Sequence, residues 1–175
     1  VIQRITTIRD QDSVPLNQIR IREFSPPRHF LLREIQPLNV NSPAFGLSML
    51  AERKALLGVL PSIQAQYSFG ATVSLSGYRS SGTLCYTGIL LDPGLYGVAP
   101  PPGLVEYPEG YYATLRFCRN DTRPEDAYQM LSSFLQQHSF RCDDTILETG
   151  VDPSFSSISR ISELAELQVR IYLDP

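Results

Sequence analysis

The chain has 175 residues, 42% of them hydrophobic, which is enough to bury a core of its own as one domain or two closely fused halves. Its 15 Lys and Arg against 18 Asp and Glu give a net charge of -3, so there is no excess positive field to gather phosphates, and nucleic-acid binding by these residues is not expected. No apolar run is long enough to span a bilayer and the opening VIQRITTIRD lacks the apolar centre of a signal peptide, so a cytoplasmic location without membrane contact is expected.

From Gln18 to Ile35, Ile19 and Ile21 alternate with Arg20 and Arg22, and Ser25-Pro26-Pro27 turns the chain into HFLLREI, which predicts two short strands in a hairpin. Ser42-Pro43 supplies an N-cap and a first-turn proline for a helix over about residues 43–59, with Phe45, Met49, Leu56 and Leu60 on one face. Apolar and polar residues then alternate from Ile63 to Leu75, a long strand that bends at Gly70. The polar stretch SGYRSSG predicts a turn, and a further strand runs from about Leu84 to Leu91. Residues 93–103, dense in Gly and Pro, predict a linker.

After that linker the pattern restarts. At an offset of 83, IREFSPPRHFLLREI (Ile21 to Ile35) and LVEYPEGYYATLRFC (Leu104 to Cys118) align Glu23 with Glu106, Phe24 with Tyr107, Leu32 with Leu115 and Arg33 with Arg116. The second segment again predicts a hairpin. A second helix opens at Thr122-Arg-Pro-Glu125, which has capping-box spacing, and carries Ala127, Tyr128, Leu131, Phe134 and Leu135 on one face. A strand near Thr145 to Val151 follows, and a last strand alternates Leu167, Val169, Ile171 and Leu173 with polar residues. The expected fold class is therefore α+β: duplicated β-β-α-β-β units (18–92 and 104–175) with pseudo-twofold symmetry, antiparallel sheets, two main helices and a ligand cleft at their junction.

The order of elements, together with the corner Tyr107-Pro-Glu-Gly110-Tyr-Tyr112, the Arg-Pro-Glu-Asp helix start, ILETGVDP (Ile146 to Pro153) and the final Glu-Leu-Gln-Val-Arg-Ile (Glu166 to Ile171), resembles the GyrI-like, or SOUL-like, fold from about Gln18 onward. Within that fold it is similar to the C-terminal effector-binding domains of multidrug-responsive MerR-family activators. The resemblance implies a small-molecule sensor whose ligand is lipophilic and cationic, with DNA contacted only through a separate N-terminal domain, in a full-length homodimer. On that reading residues 1–17, with Ile2, Ile5 and Ile8 at helical spacing, are the end of a connecting helix or else a leader.

The family's ligand contact is a buried carboxylate on the strand after the second helix, and the matching residue is Glu148, one residue closer to Asp152-Pro153 than is usual. The alternation of its strand puts Glu148 on a face with Ile146 and Gly150. A glutamate there is costly to bury alone, and a cationic ligand offsets the cost. Aromatic walls attract cations and supply apolar area, and Tyr67, Phe69, Tyr112 and Tyr172 are the candidate ligand-binding rings; Tyr111, Phe117 and Phe134 read as core.

Neither a metal nor a cofactor is expected. Cys85, Cys118 and Cys142 are too far apart for a ligand set and read as buried or half-buried thiols, and His29 and His138 have no acid or nucleophile at a recognisable spacing. No G-x-S-x-G, H-E-x-x-H, P-loop or dinucleotide fingerprint occurs, so an enzyme is not the expectation. The alternatives are a GyrI-like hydrolase using a buried Glu/Tyr pair and a protein-binding inhibitor module.

Overall fold

Period-two alternation builds one curled antiparallel sheet, and helices cover one of its faces. The computed structural model describes residues 15–58, 68–92, 103–150 and 164–173. Expectations placed on Ile2, Ile5, Ile8, Leu60, residues 63–67 with Tyr67, the 93–102 part of the linker and Asp152-Pro153 lie outside the described residues. The strands are β1 (Ile19–Phe24), β2 (Arg28–Asn39), β3 (Ser68–Ser74), β4 (Cys85–Asp92), β5 (Val105–Tyr107), β6 (Gly110–Cys118), β7 (Arg141–Cys142), β8 (Thr145–Gly150) and β9 (Leu164–Tyr172). The helices are α1 (Phe45–Leu57), α2 (Leu75–Ser81) and α3 (Pro124–Gln137).

Neither predicted hairpin closes on itself. β1 pairs with β6, and β2 pairs with β4 and β5. The links are Ser25-Pro26-Pro27 and Pro108-Glu109, and proline, with its fixed φ and no N–H, does not fit the tight turn a two-stranded hairpin needs. Each strand instead joins the other half, giving the order β1-β6-β9-β8-β3-β4-β2-β5 with β7 on β9. That order reads the same from both ends once β1 is exchanged with β5, β6 with β2, β9 with β4 and β8 with β3. Its midpoint lies between β3 and β8, where Ala71 is directly opposite Glu148.

The curl follows from chain length. β1 and β2 are six strand spacings apart in the order, roughly 29 Å in a flat sheet. The chain between Phe24 and Arg28 spans at most about 14 Å. The two ends of the sheet must therefore approach, and the sheet bends into a half-barrel.

Ala71, Val73, Ile89, Leu91, Ala113, Leu115, Phe117, Ile146, Leu167, Val169 and Ile171 form the core beneath the helices. It is closed by Met49 and Leu56 of α1, Leu75 and Tyr78 of α2, and Ala127, Tyr128, Leu131 and Leu135 of α3. A smaller cluster of Phe30, Leu90 and Leu147 lies on the opposite face. Leu32 packs on that cluster while Leu115 packs under the helices, so their match at an offset of 83 does not hold in space. The link between β5 and β6 is one residue shorter than that between β1 and β2, which moves β6 one step ahead.

Further local expectations are corrected. SGYRSSG is not a turn but lies in α2: Ser74 Oγ accepts from Gly77 N, Asp144 Oδ1 accepts from Ser76 N, and Gly82 at φ +65° ends the helix. The capping box at Thr122 does not form, since Arg123 is the N-cap and the Thr122 hydroxyl bonds Asn17. Likewise α1 begins after Ala44, which offers no side-chain cap. Tyr111, expected in the core, is 41% exposed, because at that end of the sheet the helix side is uncovered and Ile21 is 42% exposed too.

Candidate functional site

β8 sends Ile146 and Glu148 towards the helices and Leu147 to the other face, so the strand's own alternation buries a carboxylate in the main core. Glu148 is 1% exposed. A Cβ at Gly70 would lie 2.2 Å from the Glu148 carbonyl oxygen, so only glycine lets β3 approach β8 this closely beside the acid.

Three donors meet the carboxylate. Tyr86 Oη and Tyr128 Oη each donate to Oε2 at 2.9 Å, and Arg119 Nη2 donates to Oε1 at 2.6 Å. Tyr128 comes from the inward face of α3. Tyr86 is three residues from Ile89 yet packs in the same core, beside the register shift between Glu34 and Leu38 on the neighbouring β2, a bulge of the kind that re-aims side chains. Arg119 follows the last residue of β6, in a turn where Cys118 O accepts from Asp121 N at 3.1 Å and from Thr122 N at 2.9 Å. Phe45 meets Tyr86 edge-on at 5.6 Å, Tyr78 lies 5.9 Å from Tyr128, and Arg53 stands 5.1 Å over Phe69.

Burial, and then the charge of Glu148, push the hydroxyls of Tyr86 and Tyr128 well above the ordinary tyrosine range, so both remain donors to the acid. Burial alone would lower the Arg119 guanidinium, but the charge of Glu148 more than offsets it and Arg119 holds its proton more tightly than usual. The group is thus one acid, one cation and two neutral hydroxyls among aromatic rings.

Of the residues singled out by sequence, Glu148 and Phe69 lie on this face. Tyr112 does not, because β6 turns Ala113, Leu115 and Phe117 towards the helices and Tyr112 away; its hydroxyl donates to Pro108 O at 2.7 Å, and its ring meets Phe24 edge-on. Tyr172 is also apart: it donates to Asp143 Oδ1 at 2.7 Å between Arg141 and Arg170. Tyr86, Tyr128 and Arg119 carry no local signal of a role; Tyr128 reads as core and the other two as ordinary residues of a strand and a turn. His29 meets Glu106 at 3.3 Å, and His138 caps α3. The cysteines are half-buried and free, and among the described residues no three His, Cys, Asp or Glu side chains group as metal ligands.

A second buried acid occupies the opposite face. Glu166, 4% exposed, accepts from Arg22 Nη1 at 3.0 and 3.1 Å, from Arg116 Nε at 3.2 Å and Nη2 at 2.9 Å, and from Gln168 Nε2 at 2.7 Å. Arg28 donates to Gln168 and lies 3.7 Å over Phe24. A surface hollow of about 430 Å³, lined by residues including Arg79, Cys142, Asp143 and Asp144, shares no residue with either acid's set of partners.

No family model matches the sequence, and no curated protein does. Among solved structures the chain is similar to one in a cryo-EM structure of an EcmrR–DNA complex, at 12% identity and a TM-score of 0.58, over 97% of this chain and 63% of that one. It is also similar to an integron cassette protein from Vibrio cholerae (11% identity, TM-score 0.49, 89% and 97% of the two chains) and to a conserved protein from Listeria innocua (13%, 0.48, 96% and 98%). The likeness to EcmrR is one of fold, and this chain spans about 63% of that chain's length. Among the described residues no helix is long and apolar enough to cross a membrane.

Proposed function

We propose that this chain is the small-molecule effector-binding domain of a bacterial cytoplasmic transcription regulator, and that Glu148 is its ligand contact. The observation that carries the reading is a carboxylate buried to 1% whose only charged partner among the described residues is a half-exposed arginine. Burying a carboxylate is costly unless a cation and hydrogen-bond donors meet it, and an organic cation can meet that need in place of the half-exposed Arg119. Tyr86 and Tyr128 touch it, Phe45 packs on Tyr86, and Phe69 lies on the same face of the sheet, so rings that attract such a cation and apolar area that holds it are at hand. The fold likeness to EcmrR, solved on DNA, supports a place beside a DNA-binding part of the full-length protein. Effector binding there would act by favouring one of two arrangements of a dimer.

The test is a thermal-shift titration with tetraphenylphosphonium and the neutral triphenylphosphine oxide. The cation should bind wild type at least about tenfold more tightly than the neutral compound, a difference of roughly 1.4 kcal/mol, and Glu148→Gln should remove that preference. A preference that survives in the variant refutes the assignment.

The 2.9 Å contacts between Glu148 and two tyrosines also fit a hydrolase with an acid/base pair. Hydroxyls held well above their ordinary pKa are poor proton donors at neutral pH, which puts that reading second. Turnover of a fluorogenic ester that Glu148→Gln abolishes would reverse the order.

A further inference from the structure

We infer that Arg119 is a tethered occupant of the ligand's cation position, and that an organic cation binds by displacing it from Glu148. The inference rests on the reading of Glu148 as the effector site, and it adds what must leave before the effector enters.

Three observations carry it. Of the three donors to Glu148, Tyr128 is 0% exposed, Tyr86 8%, and the Arg119 side chain 36%, so the one charged partner is also the one open to solvent. Secondly, Arg119 reaches the acid through Nη2 alone, whereas Arg116 grips Glu166 with both Nε and Nη2. A single N–H contact, short at 2.6 Å, from a group that offers five donors leaves the two-pronged geometry unused, so one swing of the side chain undoes it. Thirdly, the turn that carries Arg119 is fixed by other contacts: Cys118 O accepts from Asp121 N and Thr122 N, Asn17 N donates to Arg116 O, and the Thr122 hydroxyl bonds Asn17. The side chain can swing out without unmaking the turn.

The arrangement has a physical logic. A carboxylate with almost no exposure cannot be left without a counter-charge, so the unliganded protein supplies its own. An intramolecular cation then competes with every ligand, and the ligand's apparent affinity falls in proportion to the fraction of time the position is vacant. Small hydrated cations gain nothing over the guanidinium they would replace. A cation bearing aromatic bulk buries more apolar area against the rings of Tyr86, Tyr128 and Phe45 than a guanidinium can, so the occupant selects for that class.

Two measurements test it. Calorimetric titration with tetraphenylphosphonium should give Arg119→Met an affinity about 10- to 100-fold above wild type, as expected when a position occupied most of the time is vacated, with Arg119→Lys, which keeps the charge, in between. In a thermal-shift assay, Arg119→Ala should gain saturable stabilisation from millimolar methylguanidinium; wild type should show none, and adding Glu148→Gln should abolish it. Unchanged or weaker tetraphenylphosphonium binding in both Arg119→Met and Arg119→Lys, with wild-type binding intact, overturns displacement and leaves the effector reading standing. Methylguanidinium binding to Arg119→Ala with no tetraphenylphosphonium binding to any form supports the tethered cation and sinks the effector reading. If Arg119→Ala folds and takes up no methylguanidinium, the inference fails; if it does not fold, Arg119→Lys against wild type decides.

Discussion

Two glutamates are buried on neighbouring strands, with Glu148 opposite Leu167 and Glu166 opposite Thr149, yet they face opposite sides of the sheet and keep different company. Glu166 is held by Arg22, Gln168 and an Arg116 that is itself 4% exposed and engaged through two nitrogens. Glu148 is held by two neutral hydroxyls and one half-exposed arginine with a single contact. Burial alone therefore does not tell the two acids apart; what differs is how firmly the counter-charge is held, and on the proposed reading that difference makes Glu148 the ligand contact.

Paired substitutions put that contrast at risk. Glu166→Gln removes the carboxylate that two nitrogens of a buried guanidinium reach, and should cost about 3–5 kcal/mol in denaturant unfolding. Glu148→Gln frees an arginine that water can reach, and should cost only about 1–3 kcal/mol. Glu166→Gln should leave tetraphenylphosphonium affinity as it is in wild type. Equal losses of stability in the two variants would mean that both acids are structural.

A smaller change sharpens the Glu148 side. Tyr128→Phe deletes one neutral donor to a charged acceptor inside the core and should cost roughly 1.5–3 kcal/mol. Tyr86→Phe should cost no more, since its ring is 8% rather than 0% exposed and water has some access. The double variant should lose more than the sum, because either hydroxyl alone still serves the oxygen that both removals together leave without them. Strict additivity in denaturant midpoints would argue against a shared role.

Alternation alone makes the face of Glu148 legible, since the residue two beyond Ile146 shares its face, but a lone glutamate reads as solvated on general grounds and its burial is an expectation from the resemblance. The helix predicted over about 43–59 appears as α1 for the same local reason, with Met49 and Leu56 buried as expected. The acid's partners were not legible. They come from positions 20, 29 and 62 residues away, and each depends on something no local pattern encodes: the packing of α3 on the sheet, the direction of a turn, and a bulge on the neighbouring strand. The hairpins failed for a related reason. Period two identifies a strand but not its neighbour, and here each proline-bearing link sends consecutive strands to different partners.

The last prediction is the smallest and concerns pH. Above about pH 10 the tyrosines of the unfolded chain give up their protons. In the folded protein, burial and the adjacent Glu148 keep Tyr86 and Tyr128 protonated beyond that point. The unfolded state then binds fewer protons than the folded one, so stability falls as pH rises, by up to about 1.4 kcal/mol per pH unit for each tyrosine. Below pH 10 both states hold these protons and the two groups contribute no slope. Melting temperatures from pH 8 to 11 should thus decline more steeply in wild type than in the Tyr86→Phe/Tyr128→Phe double variant. Tyr78, Tyr107 and Tyr172, also pushed upward, titrate in both proteins and form the common background. Glu166→Gln, whose set of partners contains no tyrosine, should keep the wild-type slope. Identical slopes in wild type and the double variant would mean that the hydroxyls are not held by Glu148, and the contrast between the two acids would lose its neutral half.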